Sequence, residues 1–334
     1  LLEERRRRLT YHLEFVLDHL EYARDRPCLG VEAIAPAVST GRGDVGDYCD
    51  CMTILPAAIR MTNEMRLIAG SVPGHLADAL YETATCALAA DAFVLRLPNG
   101  IVYYYRRGEG VRIDRPTHAD ERDVTLFLNG SVFAAVALLN GLVPLHASAV
   151  AHEGRVHAFT GVSGAGKSTL VAALVQRGFT LHADDVLVLV PVGDGPLPCL
   201  PGHKRIKLWQ DALSLTGAAP GERVREALDK YYTEPADAVS TEPLPLASLF
   251  FLEQRSDSLP KLTPIRGADL MEKLPSALYR PGFYGALAQP AGHFRFMTQL
   301  AGAVRASIFD RPFRKECFEA SIDVIEATIL GCHD

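Results

Sequence analysis

Apolar positions along this chain recur in two rhythms, one helical and one alternating. Leu9, Leu13, Val16, Leu17 and Leu20 share one helical face, and Pro27 and Gly30 close the segment, which predicts a helix to about residue 30. Residues 31–75 mix Gly, Pro and short apolar runs and give no assignment, whereas the Ala- and Leu-rich stretch Leu76–Ala90 predicts a second helix. Phe93–Leu97 and Ile101–Tyr105 flank Pro98-Asn99-Gly100 and predict a β-hairpin, with Val111–Ile113 as a further strand. Tyr103, Tyr104 and Tyr105 read as strand packing. The apolar stretch 124–140 predicts a helix. It leads into Leu145–Val150, a turn at Glu153-Gly154, and a strand at Arg155–Thr160, which together form a second hairpin. Further on, Val186–Val190 and Leu246–Leu252 read as buried strands, and Phe296–Val304 and Glu316–Leu330 as closing helices. Asp194–Pro198 and Thr216–Gly221 read as loops.

Between the second hairpin and the next strand lies the chemistry. Gly161-Val-Ser163-Gly164-Ala165-Gly166-Lys167-Ser168-Thr169 fits G-x-x-x-x-G-K-[ST] at every fixed position. Glycines let a backbone turn its N–H groups inward around phosphate oxygens. The residues after the loop carry Leu170, Val171, Leu174 and Val175 at helical spacing, and Gly178 marks a stop. Strand, glycine loop and helix in that order put a helix N-terminus on the anion site. Lys167 is expected on the β- and γ-phosphates and Ser168 on Mg²⁺, with the nucleotide held by Gly161, Ser163, Gly164, Ala165, Gly166, Lys167, Ser168 and Thr169.

One helix later, Asp184 and Asp185 stand side by side at the mouth of a strand. Two adjacent carboxylates are costly to bury without a cation, and along an extended chain they point in different directions. We assign Asp184 as general base and Asp185 as metal ligand, with the reverse order open. His146, on the strand before the loop, is a candidate either to hydrogen-bond Asp184 and tune it or to help bind phosphate. Arg280, in a Pro-Gly loop, is a candidate to close over the γ-phosphate. Arg205 and Lys207 alternate on one strand and are candidate phosphate or acceptor contacts, while Arg311 and Arg314 read as structural or solvated.

Length and composition set the frame. The chain has 334 residues, enough for two domains, divided near residue 120 into an N-terminal α+β domain (1–120) and a nucleotide-binding catalytic domain (121–334). A net charge of −6 argues against broad nucleic-acid binding. No apolar run reaches the roughly 18–20 residues of a membrane span, and no apolar signal core follows Arg5–Arg8. Seven scattered cysteines suit a reducing cytoplasm, and Cys49-Asp-Cys51 lacks a second pair at zinc spacing.

Leu145-His-Ala-Ser-Ala-Val, the glycine loop, and Leu181-His-Ala-Asp-Asp together resemble the catalytic core of the HPr serine kinase/phosphorylase family. The resemblance is nearest to the divergent HPr-kinase-like enzymes of peptide-modifying gene clusters, lasso peptide kinases among them. It covers residues 125–210 most strongly. It implies a mixed α/β fold whose nucleotide site is related to that of phosphoenolpyruvate carboxykinase. It also implies an ATP- and Mg²⁺-dependent kinase acting on a hydroxyl, a serine of a peptide or protein in particular. On matching positions it implies Asp184 as base, His146 as its support, Asp185 as metal ligand, and Lys167 and Ser168 on the phosphates and metal. The family's Glu-Ile-Arg-Gly signature is absent, and Pro201-Gly-His-Lys-Arg-Ile-Lys-Leu-Trp209 occupies its place. A homo-oligomer is open on this resemblance, though no residue here requires one. Two other readings stay in view: a small-molecule hydroxyl kinase of the same fold, and a non-catalytic nucleotide-binding regulator.

Overall fold

The computed structural model describes residues 57–193, 195–226, 228–235, 239–253 and 259–331. The helix expected before residue 30 and the Cys49–Cys51 pair lie outside them. The described residues form two compact units, one of 57–141 with 282–287, the other of 142–281 with 288–331. The division thus falls at 141, rather than near 120, because the apolar helix after residue 120 packs on the first unit's sheet.

In that first unit a helix over 57–64 (α1) precedes five antiparallel strands in sequential order: β1 (Tyr81–Glu82), β2 (Cys86–Leu88), β3 (Ala92–Arg96), β4 (Val102–Arg106) and β5 (Gly110–Asp114). The expected hairpin is β3–β4, closed by Leu97 N–H donating to the Ile101 carbonyl, with Gly100 at φ +87°. The helix expected over Leu76–Ala90 does not form; β1 and β2 occupy that stretch. Thr83 explains part of this, because its hydroxyl accepts from the Cys86 N–H at 3.1 Å and turns the backbone. Cross-strand pairing of Cys86 with Leu95 and Leu88 with Phe93 does the rest.

The apolar helix α2 runs Glu121–Leu139. Asp120 caps it, accepting from the Arg122 N–H at 2.7 Å. Its middle, Leu128–Val132, is a π-helical stretch holding the weak helix formers Asn129 and Gly130. By length and composition α2 would suffice to cross a membrane, contrary to the expectation from apolar run length. Yet 78% of its most apolar window is buried, which makes it the core helix of this unit. The Tyr103 hydroxyl donates to the Val124 carbonyl at 3.0 Å, and Tyr105 accepts from Asn140 and donates to Glu64. Tyr104, on the opposite face, packs with Leu76, Ala87 and Val94. All three tyrosines are packing residues.

The second unit is built on a nine-stranded mixed sheet. Its strands are β6 (Val143–Leu145), β7 (Ala147–His152), β8 (Arg155–Thr160), β9 (Thr180–Ala183), β10 (Leu187–Leu189), β11 (Pro198–Leu200), β15 (Leu244–Glu253), β16 (Lys261–Ile265) and β17 (Arg305–Asp310). The order is β6-β10-β11-β15-β8-β7-β9, with β17 against β15 and β16 beyond it. Among these strands β8, β15 and β17 pair in parallel. A separate three-stranded sheet comprises β12 (Ile206–Trp209), β13 (Arg223–Arg225) and β14 (Leu228–Thr233), in the order β12-β14-β13.

Helix α3 (Lys167–Gln176) packs its Leu170 and Leu174 into a core with Ile322, Ile325 and Ile329 of α8 (Phe318–Leu330). Phe159 stacks on Phe250 beneath it, with ring centroids 5.3 Å apart. Between them in the chain come α4 (Gln210–Thr216), α5 (Gly267–Lys273), α6 (Pro281–Leu287) and α7 (Pro290–Ala303). The consequence for function is geometric. The carboxyl ends of the parallel strands β8, β15 and β17 come together where the glycine loop begins, the usual place for a ligand in such sheets.

Candidate active site

Residues 161–166 leave β8 and enter α3 through backbone that only glycine adopts without strain. Gly161, Gly164 and Gly166 have φ of +152°, +81° and +81°. A Cβ on Gly161 would lie 2.9 Å from the Leu252 carbonyl oxygen, and one on Gly166 would lie 2.3 Å from the Arg311 guanidinium. Ala165 N–H closes a turn on the Val162 carbonyl at 3.1 Å, while Ser163 and Gly164 form the crest. Lys167, Ser168 and Thr169 make the first turn of α3, whose free N–H groups and dipole favour an anion there.

Lys167 is buried, and its three protons are all used: on His146 Nε2 at 3.0 Å, the Gly161 carbonyl at 2.8 Å and the Val162 carbonyl at 3.3 Å. Burial lowers its pKa to about 8 against the pull of Asp185 and Asp184. A lysine ammonium can only donate, so His146 Nε2 accepts and Nδ1 carries the ring proton. Nδ1 then donates to the Asp185 carbonyl at 3.2 Å. Burial, and next the Lys167 charge, hold His146 neutral with a pKa of about 4.

Asp184 and Asp185 face different partners, because the chain turns sharply at Asp185 instead of running on as a strand. Asp184 is buried and accepts three bonds: from Ser148 Oγ and Ser168 Oγ at 2.7 Å each, and from the Lys207 backbone N–H at 3.0 Å. Asp185 is half-buried, with Oδ2 2.8 Å from Lys207 Nζ and Oδ1 3.5 Å from His146 Nδ1. Burial alone would raise the Asp185 pKa; Lys207 and His146 outweigh it and hold the carboxyl well below the usual range. The same pairing pushes Lys207 up, again against its burial. Asp185 also sits at φ +76°, while the Val186 N–H reaches back to the Asp184 carbonyl at 3.0 Å. That is a γ-turn of the rare strained kind, and such outliers gather at functional sites.

The structure therefore brings His146, Lys167, Ser168, Asp184, Asp185 and Lys207 into one cluster. It differs from expectation in one partner, since His146 bonds Asp185 and Lys167 and not Asp184. It separates Arg205 from Lys207: Arg205 pairs with Glu234 at 2.8 Å and lies over the Tyr232 ring, in an outer hollow with Glu222. Arg280 follows a segment tied to the site, because Tyr279 N–H donates to the Pro144 carbonyl at 2.9 Å and the Tyr279 ring meets His146 edge-on at 5.7 Å. Arg280 itself takes φ +50°.

Three residues escaped the sequence reading. Ser148 lies two positions past His146, and strand alternation alone could have found it. Lys230 reaches the cluster only through the β12–β14 pairing, which has no local signal. Arg311, read as structural or solvated, is 4% exposed, donates to the Ala165 carbonyl, and has its pKa lowered by burial to about 10. It backs the phosphate loop with a desolvated positive charge.

Among the described residues no group of three or more His, Cys, Asp or Glu side chains could hold a metal unaided. Ser168 and Asp184 nonetheless offer a hydroxyl and a carboxylate joined on the loop. That donor set suits Mg²⁺, which takes one or two carboxylates and completes its shell with phosphate and water.

No protein-family model matches the chain, and no curated protein matches it. Among solved structures the chain is similar to the HPr(Ser) kinase/phosphatase from Coxiella burnetii, at 15% identity and a TM-score of 0.30, over 56% of this chain and 96% of that one. This is a distant structural relation, and it carries no argument about chemistry.

Proposed function

We propose that this protein is an ATP- and Mg²⁺-dependent kinase that transfers the γ-phosphoryl group to a hydroxyl, a serine of a peptide or protein in the first instance. One observation carries the reading: the loop hydroxyl of Ser168 is bonded to Asp184, while the next residue, Asp185, faces His146, which holds the loop lysine. Phosphate-binding and proton-accepting groups thus share one cluster. Phosphoryl transfer asks little more of a protein than this, since positioning and charge stabilisation dominate its catalysis.

The geometry supports Asp185 as the base and Asp184 on the metal side, the reverse of the order assigned from the sequence. Asp184 is buried and accepts from three donors, which leaves a lone pair for a metal but no open approach for an incoming hydroxyl. Asp185 is reachable and its Lys207 pairing keeps it ionised, a pairing that weakens it as a base until Lys207 turns to the phosphates. Mg²⁺ held by Ser168 and Asp184 would supply charge neutralisation on the phosphates. Lys167 exchanges the loop carbonyls for phosphate oxygens, and His146 retains its neutral Nε2 acceptor to guide the lysine. Arg311 donates to the Ala165 carbonyl, which polarises the same peptide unit whose N–H belongs to Gly166 and strengthens that donor.

The test is direct. The purified chain is incubated with Mg-ATP and serine-containing peptides, and phosphate is read by mass spectrometry. Asp185→Asn is expected to abolish transfer while sparing nucleotide affinity. Tight nucleotide binding with no transfer to any peptide or small hydroxyl compound would refute the kinase reading.

A further inference from the structure

We infer that Lys230 is a second phosphoryl-contacting lysine of this site, placed to receive the non-bridging oxygens of the γ-phosphoryl as it moves toward the acceptor. The inference rests on the kinase reading above and adds a residue to it.

The placement follows from strand register. On the β12–β14 pair, Lys207 stands opposite Tyr232, and Trp209 opposite Lys230. Directly opposed residues share a sheet face, and so do residues two apart. Lys207, Trp209, Lys230 and Tyr232 therefore line one face. That face looks onto Asp185, because Lys207 Nζ reaches it, while the Lys207 N–H sets Asp184 at the adjoining strand edge. Lys230 Nζ lies over the Trp209 ring, 5.4 Å from its centroid.

Three lysines consequently surround two aspartates, and their bonding differs. Lys167 is committed to His146 and two carbonyls, and Lys207 to Asp185. Among the described residues Lys230 forms no ion pair and rests only on the indole face. Its charge is felt by Lys167 and Asp185, and it in turn feels Lys207, Asp185 and Asp184, so it sits within electrostatic reach of both the loop and the acidic pair. Burial, then Lys207, push its pKa down. With His146 neutral, the cluster holds one more cation than anions. A half-buried cation without a counter-charge is unfavourable until an anion arrives. The triphosphate tail is the anion this site is shaped for, and its terminal group is the part that passes the acidic pair.

In the transfer step the bond from the γ-phosphorus to the bridging β-phosphate oxygen breaks. A bond from that phosphorus to the acceptor oxygen forms. The hydroxyl proton passes to Asp185 and ADP departs. Lys230 makes and breaks no covalent bond; it donates to oxygens whose charge shifts during the step.

Calorimetry on the full chain with Mg-AMPPNP and Mg-ADP tests this. The wild type is expected to prefer the triphosphate analogue. Lys230→Met should lose roughly tenfold or more in Mg-AMPPNP affinity, the worth of one charge-assisted hydrogen bond, with Mg-ADP affinity unchanged. Lys230→Arg should recover most of the preference, and Lys230→Gln replaces the Met variant if that one does not fold. An unchanged ratio of the two affinities in Lys230→Met or Lys230→Gln overturns the inference, and so does equal loss for both nucleotides. A wild type that binds neither nucleotide overturns the kinase reading itself. A wild type that binds both, with a variant ratio that does not move, overturns only the role of Lys230.

Discussion

Asp184→Asn changes one buried atom and separates the metal-side role of this residue from a merely structural one. The native carboxylate accepts from Ser148, Ser168 and the Lys207 N–H. Hydrogen bonds to a charged acceptor contribute about 1.5–3 kcal/mol each, against about 0.5–1.5 for neutral pairs. Asparagine keeps one oxygen, and that oxygen must serve the Lys207 N–H, since a backbone donor cannot turn round. The amide –NH₂ then faces the two serines, whose hydroxyls rotate and accept. All partners find a bond, but each of the three is downgraded by about 1–1.5 kcal/mol, so the net loss is about 3–4 kcal/mol. For a cooperative unit of this size that lowers Tm by roughly 6–16 °C. The functional effect is larger in kind. Ser168 now spends a lone pair on the amide, and the carboxylate charge is gone, so Mg²⁺ loses both protein donors. Nucleotide affinity is measured with and without EDTA, beside a thermal melt. Wild-type affinity should depend on Mg²⁺, and the variant's should not. A variant with wild-type Tm and undiminished Mg²⁺ dependence would refute the reasoning, as would equal weakening in both conditions.

Four further outcomes follow from the same structure. Glu153 and Gly154 form a two-residue hairpin loop with φ of +44° and +71°. Glu153→Asn suits that left-handed pair and should raise stability by about 0.5–1 kcal/mol, read from denaturant midpoints. Gly166→Ala puts a Cβ 2.3 Å from the Arg311 guanidinium at φ +81° and should cost at least about 1–2 kcal/mol together with nucleotide binding; a thermal melt and a nucleotide titration check it. Arg280→Gly relieves a φ of +50°, so it should stabilise slightly while slowing transfer if Arg280 reaches the phosphates; unchanged kinetics removes Arg280 from the site. The pH profile has two arms. Folded His146 and His182 both titrate at about 4, below the unfolded value of about 6.5, so the unfolded chain binds more protons between those values and stability falls as pH drops through that window. Folded Lys167 titrates at about 8, below about 10.4 unfolded, so its contribution rises as pH climbs from 8 toward 10.4. Nucleotide affinity should fall over that upper range, because a phosphate prefers the protonated lysine. His182→Phe should make the acid arm shallower while leaving the share of His146 and of His203, which also titrates at about 4, and a melt series across pH checks both arms.

What the sequence determined by itself is whatever local chemistry governs. The glycine loop is such a case, because its three left-handed backbone angles admit little but glycine and its helix follows directly. The β3–β4 hairpin, the apolar helix α2 and the stop at Gly178 belong with it, each set by residues within a few positions. The tertiary structure decided what depends on distant partners. Leu76–Ala90 has helical composition, yet becomes strands, because Cys86 and Leu88 gain more from pairing with β3 than from a helix that Thr83 interrupts. The two aspartates were visible as a pair, but their roles were not. Ser148, Ser168 and the Lys207 backbone arrive from three different elements, and only their arrival closes Asp184 off and leaves Asp185 reachable. Lys230 and Arg311 were invisible as site residues for the same reason. A lysine on a short strand and an arginine after another look like surface charges until non-local strand pairing sets one beside the acidic pair and the other behind the phosphate loop.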